Sequence, residues 1–409
     1  MPSPYSSELP TEVVDVIVAD VGDDSPTLLA MSSVCKTWFY AARRKAFGTD
    51  IVFKDERAIS ELPAVLLSSA LSAFTFPTKY KRACFRKIGS SRSGDDDSDF
   101  VAALAKISVE FTVAFHVAQG EIPPLIAEAC KQWTTIRHLG IAHGVHTPAR
   151  FFTLLSSFPN LESLWLEDFT FLEAEEESPE DRRRTFTVPR SLTKLSLSHC
   201  SVMTLAFLFH RGKVEGLQRI KDLHVHSVFE GDVRLNLEGL YWTLPSSNPA
   251  RSIENLSFAR APGEDILMHP RQPHALFPRI RSQAAGSIMK RLKLNLRELD
   301  FETTQKALNE LEPTMNYTML RIKELVIHLP SIRVDSLLVI DEVLEKIWRK
   351  WSGTSWNPHP FNIVLHGPFD HELKKEPALY LVNAVRRGNK VVVVESDTDE
   401  EVLARRRGF

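Results

Sequence analysis

Leu192-Thr193-Lys194-Leu195-Ser196-Leu197-Ser198-His199-Cys200-Ser201-Val202 is the stretch on which the fold turns. Its first six residues place apolar side chains at positions one, four and six, and the alternation of Leu195 with Leu197 is that of a strand with one buried face. The same hexapeptide recurs as Ile136-Arg-His-Leu139-Gly-Ile141, Leu161-Glu-Ser-Leu164-Trp-Leu166, Ile220-Lys-Asp-Leu223-His-Val225, Ile253-Glu-Asn-Leu256-Ser-Phe258, Met289-Lys-Arg-Leu292-Lys-Leu294 and Ile322-Lys-Glu-Leu325-Val-Ile327. Successive copies start 25, 31, 28, 33, 36 and 33 residues apart. That spacing leaves room for a helix after each strand. Leu296-Arg-Glu-Leu299-Asp-Phe301 also fits the pattern, but choosing it makes the last two spacings 43 and 26, so Met289 opens the better copy.

The hexapeptide resembles the strand signature of leucine-rich repeats, and Cys200 stands where that family places Asn or Cys. Only the Leu192 copy runs to the full repeat length. The resemblance implies an α/β fold: an irregular leucine-rich-repeat solenoid with a curved parallel sheet, helices behind it and right-handed crossovers. Pro148 and the aromatic stretch to Phe158 predict one such helix. Further helices are expected over 63–74, 123–133, 337–351 and 377–387, and strands over 51–53, 109–115, 361–365 and 391–394. Residues 90–99, with four aspartates, read as a loop, as does the charged stretch from Glu173 to Arg184.

Residues 9–47 read as three short helices. Pro10 suits a first helical position, Glu12 favours the positive end of the helix, and Val13, Val14, Ile17, Val18 and Val21 recur as one apolar stripe. Gly22 ends this helix and Asp23-Asp24-Ser25-Pro26 caps the next, which carries Leu28, Leu29 and Met31. A third holds Cys35, Trp38, Ala41 and Ala42 and ends in Arg43-Arg44-Lys45, where cations complement the helix dipole. A unit of about forty residues cannot bury all these side chains unaided, so part of the stripe is expected to meet another protein.

In order and spacing, Leu9-Pro10-x-Glu12-Val13-Val14-x-x-Ile17, Leu28-Leu29 and Val34-Cys35-x-x-Trp38 resemble the F-box. The longer turn from Gly22 to Pro26 and Val at positions often Leu depart from the common form but keep its apolar character. The resemblance implies a three-helix F-box domain over residues 1–48 and a substrate-binding repeat domain over 49–409. It further implies that Leu9, Pro10, Val13, Ile17, Leu28, Leu29, Val34, Cys35 and Trp38 dock the Skp-type adaptor, by helix-in-groove burial, and through it the cullin–RING scaffold. The chain would then be the substrate-recognition subunit of a ubiquitin ligase, acting in the cytoplasm or nucleus. The alternative is a non-ligase leucine-rich-repeat interaction scaffold that uses the F-box-like head outside any ligase; separately, the head reads as an ordinary N-terminal helical cap on the following domain.

Alternation along the repeat strands sends Ser163, Trp165 and Glu167, then Lys194, Ser196 and Ser198, then Asp222, His224 and His226 to one face, continued by Asn255, Ser257, Arg291, Lys293, Glu324 and His328. A Trp among mixed charges and histidines suits recognition of a protein substrate. His224 and His226 share a strand face, yet no carboxylate or cysteine completes a metal site, and no cofactor is expected. His138, His143 and His146 read as solvated or hydrogen-bonded. Nucleotide, zinc-protease and hydrolase motifs are absent, so catalysis is expected of the partners.

Fifty Lys and Arg against 52 Asp and Glu leave a net charge of −2, which argues against nucleic acid as a partner. Four scattered cysteines form no framework, and Cys35 and Cys84 read as buried small hydrophobes. No apolar run approaches a membrane span. Two short signals remain: Val391-Val-Val-Val394 followed by five acids within Glu395–Glu401, which resembles a SUMO-interaction motif, and basic clusters at Lys79–Lys87 and Arg405–Arg407, open to reading as import or phosphate sites or as solvated helix ends.

Overall fold

Parallel strands joined through helices account for most of the described chain. The computed structural model describes residues 9–21, 25–35, 37–38, 41–42, 45, 50–55, 61, 79–89, 97–172, 185–200, 204, 207–208, 214–228, 254–259, 290–297, 300–309, 322–351, 359–368 and 379–394. It divides into two compact units, residues 1–137 and 138–409, so three strands join the head in the first unit. The helices expected over 63–74 and the charged stretch 173–184 lie outside the described residues.

The first unit opens with α1 (Thr11–Asp20) and α2 (Ser25–Met31), and residues 37–38, 41–42 and 45 are also helical. Pro10 precedes α1, and its carbonyl accepts the Val13 and Val14 amides at 3.0 and 3.2 Å. Val14, Val18, Leu28, Ala41 and Ala42 form a small sealed core, with Val21, Met31 and Trp38 partly buried against it. The sequence stripe is thus split, because Val13 and Ile17 turn outward.

β1 (Asp50–Phe53), β2 (Lys79–Gly89) and β3 (Ser108–Gln119) follow as parallel neighbours, with α3 (Asp97–Leu104) between β2 and β3 and α4 (Pro124–Cys130) after them. Their core is an aromatic stack: Phe53 on Phe85 at 4.6 Å, Phe85 on Phe115 at 5.3 Å and Phe85 on Trp133 at 6.4 Å. The indole N–H of Trp133 donates to the Ile107 carbonyl at 2.8 Å, so its polar atom is satisfied inside.

Three expectations are corrected in this unit. The basic stretch Lys79–Lys87 is neither a helix end nor a free cationic patch: it is strand β2, whose Tyr80, Ala83, Cys84, Phe85 and Ile88 are buried while Arg82 pairs with Asp50, its register partner on β1. The expected loop over 90–99 gives way at Asp97 to α3. Cys35, read as buried, is exposed.

Cys84, Cys130 and Cys200 are buried, and desolvation raises each thiol, that of Cys200 to about 12. Since the thiolate is the nucleophile, a disulfide-exchange reagent at pH 8 should titrate one fast thiol, Cys35, in the folded chain and all four after denaturation. Loss of the fast phase in Cys35→Ser checks the assignment.

The second unit is a nine-stranded parallel sheet among the described residues, ordered β4 (His138–Ala142), β6 (Ser163–Glu167), β9 (Lys194–Cys200), β11 (Asp222–Val228), β12 (Asn255–Ala259), β13 (Arg291–Asn295), β14 (Glu324–His328), β15 (Asn362–His366) and β16 (Lys390–Val394). Two short pairs lie outside it, β5 (Val145–His146) with β7 (Thr170–Phe171) and β8 (Phe186–Thr187) with β10 (Val214–Glu215). Each hexapeptide copy supplies one main strand, and positions four and six fill the core: Leu139, Leu164, Leu166, Leu195, Leu197, Leu292, Leu294, Leu325 and Ile327 are all buried. Met289 was the right opening, for β13 follows it and Phe301 instead begins a helix.

Helices α5 (Pro148–Ser156), α6 (Phe301–Asn309), α7 (Val334–Trp351) and α8 (Val382–Arg386) fall between main strands, so the unit is mixed α/β on a long parallel sheet. The Cys200 thiol lies 3.5 Å from the Leu166 carbonyl and 3.6 Å from that of Ser198, tying one rung to the next.

Asp341 of α7, itself buried, accepts the Asn383 and Ala384 amides at 3.1 and 2.8 Å and the Asn383 side chain at 2.9 Å. Asp341→Ala leaves those donors without their acceptor, an expected loss of about 2–4 kcal/mol. Denaturant unfolding checks it. Accelerated amide exchange confined to 379–394 is the expected signature, and unchanged exchange there would refute the role.

Candidate interaction surfaces

Helical spacing turns Val13, Val16 and Ile17 of α1 outward together while Val14 and Val18 seal the head core. Val16 is 69% exposed and Val34 66%; Leu9, Pro10 and Cys35 are exposed as well. Of the residues expected to dock an adaptor, Leu9, Pro10, Val13, Ile17, Val34 and Cys35 are therefore accessible. Leu28 is not: at 1% exposure it belongs to the head's own core, which corrects its assignment to the docking surface. Trp38 is half-buried against that core, and the Leu29 side chain lies outside what is described. Val16, not among the expected residues, shares the outward face of α1 with Val13 and Ile17.

In the second unit, strand register assembles the eight expected substrate residues into three short rows. Ser163, Lys194 and Asp222 are successive partners; so are Trp165, Ser196 and His224; and Glu167 and His226 flank Ser198. Lys194 is exposed and the other seven are half-buried. Ser198, expected on the face, is 6% exposed, with its hydroxyl 3.4 Å from Nδ1 of His226. The rows continue through Asn255 with Arg291 and Glu324, and through Ser257 with Lys293. Beyond Lys293 the middle row becomes apolar, with Val326, Val364 and Val392 in register.

Charges along the first row neutralise one another. Lys194 lies 4.0 Å from Asp222, which also accepts the Asn255 amide at 2.5 Å, and Arg291 pairs with Glu324. One residue earlier, Glu254 sits between Lys221 at 3.9 Å and Lys290 at 2.6 Å, and the Lys290 hydrogen bond holds its carboxyl below the usual range. Such pairs at a half-exposed edge contribute little energy each but fix which rung meets which.

Just after β4 and β6, and one residue before the end of β9, His143, Asp168 and His199 adopt left-handed φ values of 58°, 49° and 50°, a conformation costing a non-glycine residue about 1 kcal/mol or more. His143 Nδ1 and an Asp168 carboxylate oxygen are 2.7 Å apart, and His199 packs on His226 with ring centroids at 5.3 Å. His146 is buried and stacked on Phe169 at 5.4 Å rather than solvated, and His328 stacks on His366 at 4.3 Å across β14 and β15.

Among the described residues no three His, Cys, Asp or Glu side chains converge as metal ligands, and no helix is long and apolar enough to cross a membrane. The face therefore offers mixed polar, aromatic and apolar contacts. No protein-family model matches the chain, and no curated protein matches it.

Proposed function

We infer that the chain is the substrate-recognition subunit of a cullin–RING ubiquitin ligase, an F-box head docking the Skp-type adaptor and a leucine-rich-repeat face holding a protein substrate. One observation carries the reading: a ten-residue helix whose valines seal a core on one side leaves Val13, Val16 and Ile17 facing outward beside an F-box-like sequence. Monomeric proteins rarely expose such contiguous apolar surface without a partner. The rows around Trp165, with Lys194, Asp222, His224 and His226, provide contacts of several chemistries over three strands, which suits a folded or extended protein segment.

The mechanism is proximity. Holding a target lysine beside a charged conjugating enzyme raises its effective concentration, and this chain supplies orientation while its partners supply the chemistry. Capture of purified Skp-type adaptor by the full-length chain, followed by co-purification of cullin, tests the reading. Failure to capture the adaptor while a control F-box succeeds would sink it, and adaptor without cullin would favour a scaffold outside any ligase.

A further inference from the structure

Charges at the strand entries of the second unit are sorted by depth. From β6 to β16 six described cations are exposed there, Lys194, Lys221, Lys290, Arg291, Lys323 and Lys390, while the four carboxylates among them, Glu162, Asp222, Glu254 and Glu324, are all half-buried. In the bridged pairs the side chains of Lys194, Lys221, Lys290 and Arg291 are 50–59% exposed, and those of Asp222, Glu254 and Glu324 only 20–23%. The pairs cancel in charge but not in depth. Ammonium and guanidinium groups form the outer layer, with the carboxylates beneath it.

The backbone fixes the spacing of this layer. The amides of Glu254, Lys290 and Lys323 donate in turn to the carbonyls of Lys221, Glu254 and Lys290, at 2.8, 2.7 and 2.8 Å. One residue later Lys194, Asp222, Asn255, Arg291 and Glu324 are register partners. Four strand steps of about 4.8 Å carry the rim from β9 to β14, about 19 Å, a length that an extended polypeptide covers in about six residues. Two of the internal contacts are long, Lys194 to Asp222 at 4.0 Å and Lys221 to Glu254 at 3.9 Å, so an incoming carboxylate competes with weak partners. Lysine ammoniums on flexible stems follow such a chain with no change in the sheet.

We propose that this rim binds an acidic segment of a polypeptide, its carboxylates seated on the cation row and its chain lying across the strand entries from β9 to β14. The proposal rests on the reading of the adjoining face as the one that holds a protein substrate, and it names the class of that substrate. Charge complementarity carries it, since the cations outnumber the carboxylates and stand nearer to solvent. Nucleic acid is the poorer occupant: carboxylates interrupt the row and the whole chain carries −2, and a phosphate backbone cannot place neutral units opposite them as a polypeptide does.

Fluorescence anisotropy of the full-length chain with labelled octaglutamate, octaglutamine and oligothymidine tests the proposal without any adaptor. Octaglutamate should bind and octaglutamine should not, with affinity falling as salt rises. Lys194→Ala with Lys221→Ala and Lys323→Ala should weaken binding about tenfold, and Glu254→Gln, which releases Lys221 and Lys290, should strengthen it about two- to threefold. None of these changes touches the core, and amide exchange across β9 to β14 checks that the sheet is intact in each. Octaglutamate binding no better than octaglutamine overturns the proposal, as does tighter binding of oligothymidine or an affinity that Glu254→Gln lowers or leaves unchanged. Adaptor capture without octaglutamate binding sinks this inference alone, and octaglutamate binding without adaptor capture sinks the ligase reading alone.

Discussion

On the proposed adaptor-docking role, Val13→Asp combined with Ile17→Asp is expected to abolish capture of the Skp-type adaptor while the head stays folded. Each wild-type side chain buried at an apolar interface contributes about 1.5–3 kcal/mol, and a carboxylate forced into the same place adds a desolvation cost of similar size or larger. The pair is therefore expected to lose at least about 3 kcal/mol, or more than a hundredfold in affinity. Both positions are exposed in the isolated chain, so the core of Val14, Val18, Leu28, Ala41 and Ala42 is left untouched. Val14→Asp is the contrast: it places a charge in that core, and adaptor capture fails because the head unfolds. Trp38→Ala is a poorer probe, since Trp38 packs against the core and its loss mixes stability with binding. Calorimetric titration with purified adaptor, beside amide exchange across α1 and α2, separates the cases. A double variant that binds within threefold of the parent sinks the docking surface.

Much of the second unit was legible because its signal is strong and repeated. Leucine at position four and an apolar residue at position six of each hexapeptide marked the strand, its buried face and, by alternation, the residues that register brings into rows. Inter-rung ion pairs such as Lys290 with Glu254 join residues 36 apart, a separation no local pattern reports. Ser198 was misplaced because alternation takes no account of His226 reaching across from the next strand.

The first unit was harder to read. In β2, Lys81, Arg82, Arg86 and Lys87 interrupt the apolar series, so a strand resembled a basic patch. Arg82 is there to meet Asp50, thirty-two residues back, and its charge is a pairing signal only once β1 lies alongside. The head shows the converse limit. Helical periodicity grouped Val13, Val14, Ile17, Val18 and Val21 as one apolar stripe but could not divide them between the head core and the exposed face, because both faces of this short helix are apolar.

Phe85→Ala should be the most destabilising single truncation in the first unit. Phe85 is fully buried and stacks on Phe53, Phe115 and Trp133, so removing its ring deletes three aromatic contacts at once and leaves a cavity that three rigid rings cannot collapse to fill. Aromatic-to-alanine changes in such cores cost about 3–5 kcal/mol. Phe111 supplies the control. The β2–β3 register slips between Tyr80 and Arg82, where two residues of β2 are matched by three of β3, and this bulge leaves Phe111 40% exposed four residues before the buried Phe115. Phe111→Ala should cost less, about 1–2 kcal/mol, because two-fifths of its surface stays in water and it is not part of the ring stack. With two compact units in the chain, global unfolding need not be two-state, so amide exchange resolved by segment is the better measure. Phe85→Ala should accelerate exchange across β1, β2 and β3 by about two orders of magnitude or more, whereas Phe111→Ala should accelerate it by only about tenfold. Equal effects from the two variants would mean that the stack does not hold these strands together.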